Sequence, residues 1–193
     1  RKVASALAEH GVEALDAPVS GGEVGAVAGT LTIMVGGSEA AYDRALPLFR
    51  AMGKTITHIG GPGAGQVCKC CNQICCVSNL QAVCESLAFA VKSGVDPRKV
   101  REALLGGFAG SKVLEVHGQR ILNGEFTPGF KVKFMRKDVG IVCEAGREIG
   151  VPVFMTSQAG LLLDALLARG MGEADYNALY LLMETLSGME KKA

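Results

Sequence analysis

"GPGAGQVCKCCNQICCVSNLQAVCESLAFAVKSGVDP", residues 61–97, decides the fold. It follows a β-type segment and opens on glycines and a proline. From residue 65 to residue 93 it then runs with no proline and no internal glycine. That length and its apolar spacing predict one long helix. Gly94 suits the position just past a helix end, and Pro97 suits the first position of the next helix. The stretch therefore reads as the entry to a second domain.

Upstream, β-type and helix-type patterns alternate. Residues 1–10 read as the end of a helix, and "VEALDAP" (12–18) as a strand that stops at a proline. "SGGEVGAVAGT" (20–30) reads as a glycine-rich connection, and "LTIMVGG" (31–37) as a short buried strand. "SEAAYDRALPLFRAMG" (38–53) has an N-cap serine, helical apolar spacing and a terminal glycine, and "KTITHIG" (54–60) is strand-like. Such alternation indicates an α/β layer with a largely parallel sheet. Three strands would leave sheet edges exposed. Residues 1–62 therefore read as the second half of an α/β domain, its first half absent. Residues 63–193 read as all-helical. Further helices are expected at about 97–105, 111–122, 131–149, 153–169 and 174–187, separated by glycines and prolines. The fold class is α/β followed by all-α.

Apolar residues make up 49% of the 193 and charged residues 20%, which supports a sizeable core and argues against disorder. The net charge of +1 gives no reason to expect a nucleic-acid or acidic-membrane partner. The apolar runs are broken before the roughly 18–20 residues of a membrane span. "RKVASALAEHG" (1–11) lacks the apolar core of a secretory leader and begins with Arg, so processing or a longer parent is expected. Six of the seven cysteines fall between positions 68 and 84, unlike a secreted disulfide scaffold. A reduced compartment is expected, cytoplasmic or the mitochondrial matrix.

Three readings compete for the cysteine-rich stretch. Cys68, Cys71 and Cys75 share a helical face, but structural zinc usually takes paired ligands on loops with a second pair elsewhere. Buried cysteine is common helix packing, so no metal is expected. "GGPGAG" (60–65) runs from a strand into a helix like a dinucleotide loop, yet no further strand with an acidic end follows it. A tight turn is the simpler reading. That leaves Lys69, with Asn72 and Gln73 one turn on, the strongly polar side chains between positions 67 and 77. An ammonium in the first turns of an apolar helix faces the positive end of the dipole. A proton-transferring lysine uses such an environment, although a lone helical lysine is more often simply solvated. His10, His58 and His117 stand far apart and read as surface or structural residues.

Four ordered motifs resemble the β-hydroxyacid dehydrogenases, the family of the 3-hydroxyisobutyrate dehydrogenases. They are "DAPVSGGEVGAVAGTLTIMVGG" (16–37), "GPGAGQVCKCCNQ" (61–73), "GGFAGSKVL" (106–114) and "FTPGFKVKFMRKDV" (126–139). "KCCNQ" and "GGFAGS" are most similar to its tartronate semialdehyde reductase members. The resemblance implies hydride exchange between NAD or NADP and a short 3-oxo or 3-hydroxy acid. Tartronate semialdehyde, reduced to glycerate, is the first expectation; 3-hydroxyisobutyrate, glyoxylate and succinic semialdehyde are alternatives. It implies Lys69 as the catalytic acid–base. Ser20, Gly21, Gly22, Asn72 and Gln73 would be substrate-binding, with Gln73 standing where several relatives have Asn. Lys137, followed by Asp138, would lie near the cofactor, and Ser111 could touch substrate. The resemblance implies that residues 1–62 are the second half of a dinucleotide-binding, Rossmann-type domain and that 63–193 form a helical domain entered through a long interdomain helix. The family's Gly-rich loop lies upstream of Arg1, so weak cofactor binding by this chain alone is implied. A homo-oligomer is implied as well, with no nucleic-acid or membrane partner. The reading from another class is a non-catalytic helical oligomerisation module.

Overall fold

The computed structural model describes residues 1–189. Contacts divide the chain into two compact units, Arg1–Asn72 and Gln73–Ala193.

In the first unit, α1 (Lys2–Ala8) leads to β1 (Val19–Ser20), α2 (Gly22–Val27), β2 (Leu31–Gly36), α3 (Glu39–Met52) and β3 (Gly53–Gly60), and α4 (Ala64–Lys92) begins. The sheet order is β1-β2-β3. The β2 and β3 strands pair in parallel across α3, but β1 runs antiparallel to β2, with Val19 opposite Ile33. The sheet is mixed rather than largely parallel. The strand expected at 12–18 is reduced to one bridge, Asp16 to Gly36. Pro18 has no N–H to donate and interrupts the ladder between that bridge and β1. Its carbonyl still accepts from Met34 N–H at 3.0 Å. The expected glycine-rich connection contains α2, which ends at Gly29 in the left-handed region (φ 63°). Ser38 caps α3 as expected, accepting from Ala41 N–H at 3.2 Å. Leu31, Ile33, Val35 and Phe49 form this unit's core.

The second unit contains most of α4, then α5 (Pro97–Leu105), a π-helical turn (Leu114–Gly118) running into α6 (Gln119–Leu122), α7 (Val132–Ile149), α8 (Phe154–Ala168), and a 3-10 turn (Tyr176–Ala178) leading into α9 (Leu179–Leu186). Asp96 caps α5 and Pro97 occupies its first turn. Gly150 closes α7 in the left-handed conformation. Val77, Leu80, Leu87, Val139, Leu163 and Leu166 lie at the centre of one apolar core. A Cβ on Gly160 of α8 would stand 3.0 Å from a methyl of Val139 on α7, so a small residue there lets the two helices approach.

By length and composition α4 could cross a membrane, which its interrupted apolar runs did not suggest; its cysteines raise the average over the whole helix. Of its most apolar stretch, 44% is buried inside the protein. Val77, Leu80, Val83, Cys84 and Leu87 of α4 belong to the core of the second unit.

Candidate active site

A helix start leaves its first backbone N–H groups without intrahelical partners. At α4 they meet a side chain from far upstream in the sequence. The Asp16 carboxylate accepts from Gly63 N–H at 2.6 Å through one oxygen and from Gln66 N–H at 2.8 Å through the other. The anion also suits the positive end of the helix dipole. Packing there leaves no room for side chains. A Cβ on Gly36 would lie 2.5 Å from Asp16 Oδ1, and one on Gly65 would lie 2.4 Å from the Met34 carbonyl. Gly65 thus serves the close seating of α4 on β2.

Lys69 lies on the next turn of α4 and is half-buried. Its ammonium donates to the Val19 carbonyl at 2.8 Å. Val19 precedes Ser20, Gly21 and Gly22, and the two glycines turn the chain with φ of 134° and 61°. A side chain would be strained at either. The first unit therefore brings Lys69 to the edge of the Ser20–Gly22 turn. A lysine has three donors, so one bond to Val19 leaves two for another oxygen. Asn72 is half-buried one turn further along α4.

In the second unit Gln73 is buried. Its amide nitrogen donates to Asp138 Oδ2 at 2.6 Å, and Lys137 Nζ lies 3.0 Å from Asp138 Oδ1. Gln73 and Lys137 thus share one carboxylate. The basic run around them is charge-matched: Lys131 and Lys133 pair with Glu173, and Arg136 with Asp164. Hydrogen bonds from Lys133 and Lys131 hold the Glu173 carboxyl at about 2, below its ordinary range. The Ser111 hydroxyl accepts from Leu114 N–H at 3.0 Å and caps the following turn.

Sequence reasoning missed the cluster around Asp175. This carboxylate is fully buried, accepts from Gly129, Phe130 and Asn177 N–H at 2.7–3.1 Å, and pairs with Arg120 at 3.2 Å. His117, in the π-helical turn, has Nε2 2.9 Å from the Tyr176 hydroxyl and Nδ1 3.8 Å from Asp175. Burial lowers the His117 pKa, with Arg120 acting the same way and Asp175 opposing both. Burial also pushes the Tyr176 hydroxyl and Cys84 thiol up. The cluster ties residues 125–130 to the start of α9, and Lys131, at the head of α7, bridges Asp175 through the backbone. The available signal was the aspartate of "EADYN" before a helix, an Asx-type turn that accepts from Asn177 N–H. None of the seven cysteines forms a disulfide. Among the described residues no group of three His, Cys, Asp or Glu side chains is arranged to hold a metal.

A Rossmann-type unit, a long helix carrying a lysine in its first turns and a helical second unit define a class of dinucleotide-dependent oxidoreductases. Sequence models of two families match the chain. "NAD binding domain of 6-phosphogluconate dehydrogenase" covers residues 1–60, and "NAD-binding of NADP-dependent 3-hydroxyisobutyrate dehydrogenase" covers 63–183. The chain belongs to the 3-hydroxyisobutyrate dehydrogenase family, whose members are NAD(P)-dependent hydroxyacid oxidoreductases. It is 44% identical over 187 residues to the 2-hydroxy-3-oxopropionate reductase of Escherichia coli, across 97% of this chain and 64% of that protein. It is 38% identical over 189 residues to the 2-(hydroxymethyl)glutarate dehydrogenase of Eubacterium barkeri, across 97% and 63%. The Mycobacterium tuberculosis 3-hydroxyisobutyrate dehydrogenase, solved with L-serine, superposes with a TM-score of 0.88 at 31% identity, across 95% of this chain and 65% of that one. The chain thus spans less than two thirds of the length of these relatives.

Proposed function

We propose that this chain forms the catalytic-lysine and helical part of an NAD- or NADP-dependent oxidoreductase acting on a short 3-oxo or 3-hydroxy acid. The observation that carries the reading is the Lys69 ammonium on the Val19 carbonyl, at the edge of the Ser20–Gly21–Gly22 turn. In this reading the nicotinamide supplies or receives the hydride at the substrate carbon. Lys69 gives its proton to the carbonyl oxygen as the alkoxide develops, and in the reverse direction takes the hydroxyl proton. The Ser20 hydroxyl and the backbone N–H groups of Gly21 and Gly22 hold the substrate carboxylate, a task for which closely exposed backbone suits. Asn72 hydrogen-bonds the substrate or orients the lysine. Gln73, whose amide nitrogen is bonded to Asp138, is proposed as a further substrate-binding residue. Lys137, exposed and braced by Asp138, is proposed to contact the cofactor.

Tartronate semialdehyde is the proposed substrate, supported by the 44% identity to the Escherichia coli reductase. Glyoxylate, succinic semialdehyde and 3-hydroxyisobutyrate share its pattern of a short carboxylate beside a carbonyl or hydroxyl. The enzyme is proposed to work in the cytoplasm or a mitochondrial matrix, without nucleic-acid or membrane partners. Self-association is proposed because Phe154, Met155 and Leu161 of α8 lie 60–80% exposed on an apolar helix. The test is oxidation of NADH and NADPH by the full-length protein with the three aldehydes in parallel, and reduction of NAD and NADP with 3-hydroxyisobutyrate. Turnover with one of them supports the reading. Absence of both turnover and nicotinamide binding would leave the oligomerisation module instead.

A further inference from the structure

We infer that Asp16 is the positioning residue for Lys69, fixing where its ammonium sits rather than only closing a helix end. The inference rests on the proton-transfer role proposed above. Asp16 is held on two sides. Its backbone pairs with Gly36 in both directions, at 2.7 and 2.9 Å, which ties it to the end of β2. Its carboxylate spans the first turn of α4 through Gly63 and Gln66. Val19, which receives the Lys69 ammonium, is three residues further along the same segment. The span 16–19 and the span 63–69 are thus laced at both ends, by Asp16 at one and by Lys69 at the other.

The carboxylate has one place to be. A Cβ on Gly36 would stand 2.5 Å from Oδ1 and one on Gly65 2.9 Å from Oδ2. Two glycines therefore leave the space the carboxylate fills, on the strand side and on the helix side. Rotating α4 about its axis, or sliding it along the strand edge, breaks the Asp16 bonds before it moves Lys69 far from Val19. A displacement of about an ångström at a reacting group can cost on the order of a hundredfold in rate, so such bracing has catalytic consequences.

The test compares wild type, Asp16→Asn and Lys69→Ala in the full-length protein with the aldehyde substrate it turns over. In Asp16→Asn one acceptor oxygen is replaced by an NH2 that cannot accept from a backbone N–H. Expected is a fall in kcat of about tenfold or more with KM changed less than about threefold, and a shift in the pH–kcat limb that depends on Lys69. A purely structural cap would lower the melting temperature and leave kcat per folded molecule and the pH limb unchanged, and that result would overturn the proposal. Should Lys69→Ala keep wild-type turnover, the reading of Lys69 fails and the positioning role with it. Loss of activity in Lys69→Ala beside an unchanged Asp16→Asn refutes the Asp16 role alone. If Asp16→Asn does not fold, Asp16→Ser, which keeps a single acceptor oxygen, takes its place under the same kcat and KM readouts, and a kcat per folded molecule equal to wild type overturns the proposal.

Discussion

Lys69, Asn72 and Gln73 stand out from the sequence because polar side chains are rare in that stretch and their spacing puts them on one helical face. What each touches was not legible. The Val19 carbonyl is 50 residues from Lys69 in sequence, and Asp138 is 65 from Gln73. Asp16 was visible as part of a motif but not as a cap, because a capping residue is normally sought immediately before its helix. Asp175 does stand immediately before its helical turn, but its other partners, Gly129, Phe130 and Arg120, lie on separate segments and were not legible. Its neighbour His117 carries a pH prediction. Burial places its folded-state pKa below the ordinary 6.5, so the unfolded chain takes the proton first. The stability this histidine contributes is complete above pH 6.5 and falls as pH drops toward the folded value. Melting temperatures from pH 7.5 to 5 should fall less steeply in His117→Gln than in wild type. Equal slopes would show that His117 does not titrate in this way.

At the scale of elements, helices were more legible than strands. The long helix was expected at 65–93 and lies at 64–92, because an unbroken apolar stretch that ends at Gly94 leaves few alternatives. The first strand was not legible, because its pairing depends on where Pro18 interrupts a ladder. The α2 helix hid behind its glycines. The π-helical turn at Leu114–Gly118, a rare conformation, follows from no local propensity. The seating of α4 on β2 gives a prediction at this scale. Gly65→Ala would place a methyl 2.4 Å from the Met34 carbonyl, which as backbone cannot step aside. Overpacking of this kind costs about 1–3 kcal/mol. The denaturation midpoint should fall by that amount with unchanged steepness. A Gly61→Ala control, exposed, with nothing within 4 Å of the added methyl and no left-handed backbone, should cost less. If the two substitutions cost the same, the close seating is not what Gly65 is for.

On the scale of the whole molecule, the two units have separate cores and divide between Asn72 and Gln73, inside α4, whereas the change of pattern in the sequence falls near residue 60. The α/β-then-helical order was legible from periodicity; the mixed sheet was not. The self-association proposed above would use the exposed apolar side chains of α8. Leu161→Lys should lower the mass found by light scattering while the circular dichroism spectrum stays the same. An unchanged mass would remove α8 from the proposed interface.

The most direct measurement is turnover of tartronate semialdehyde by the full-length protein, wild type against Lys69→Ala, each at saturating NADH and NADPH. A positioned general acid contributes roughly 10²–10⁴-fold, so the account predicts a loss in kcat of that size with the fold intact. Activity of Lys69→Ala within a few-fold of wild type would contradict it.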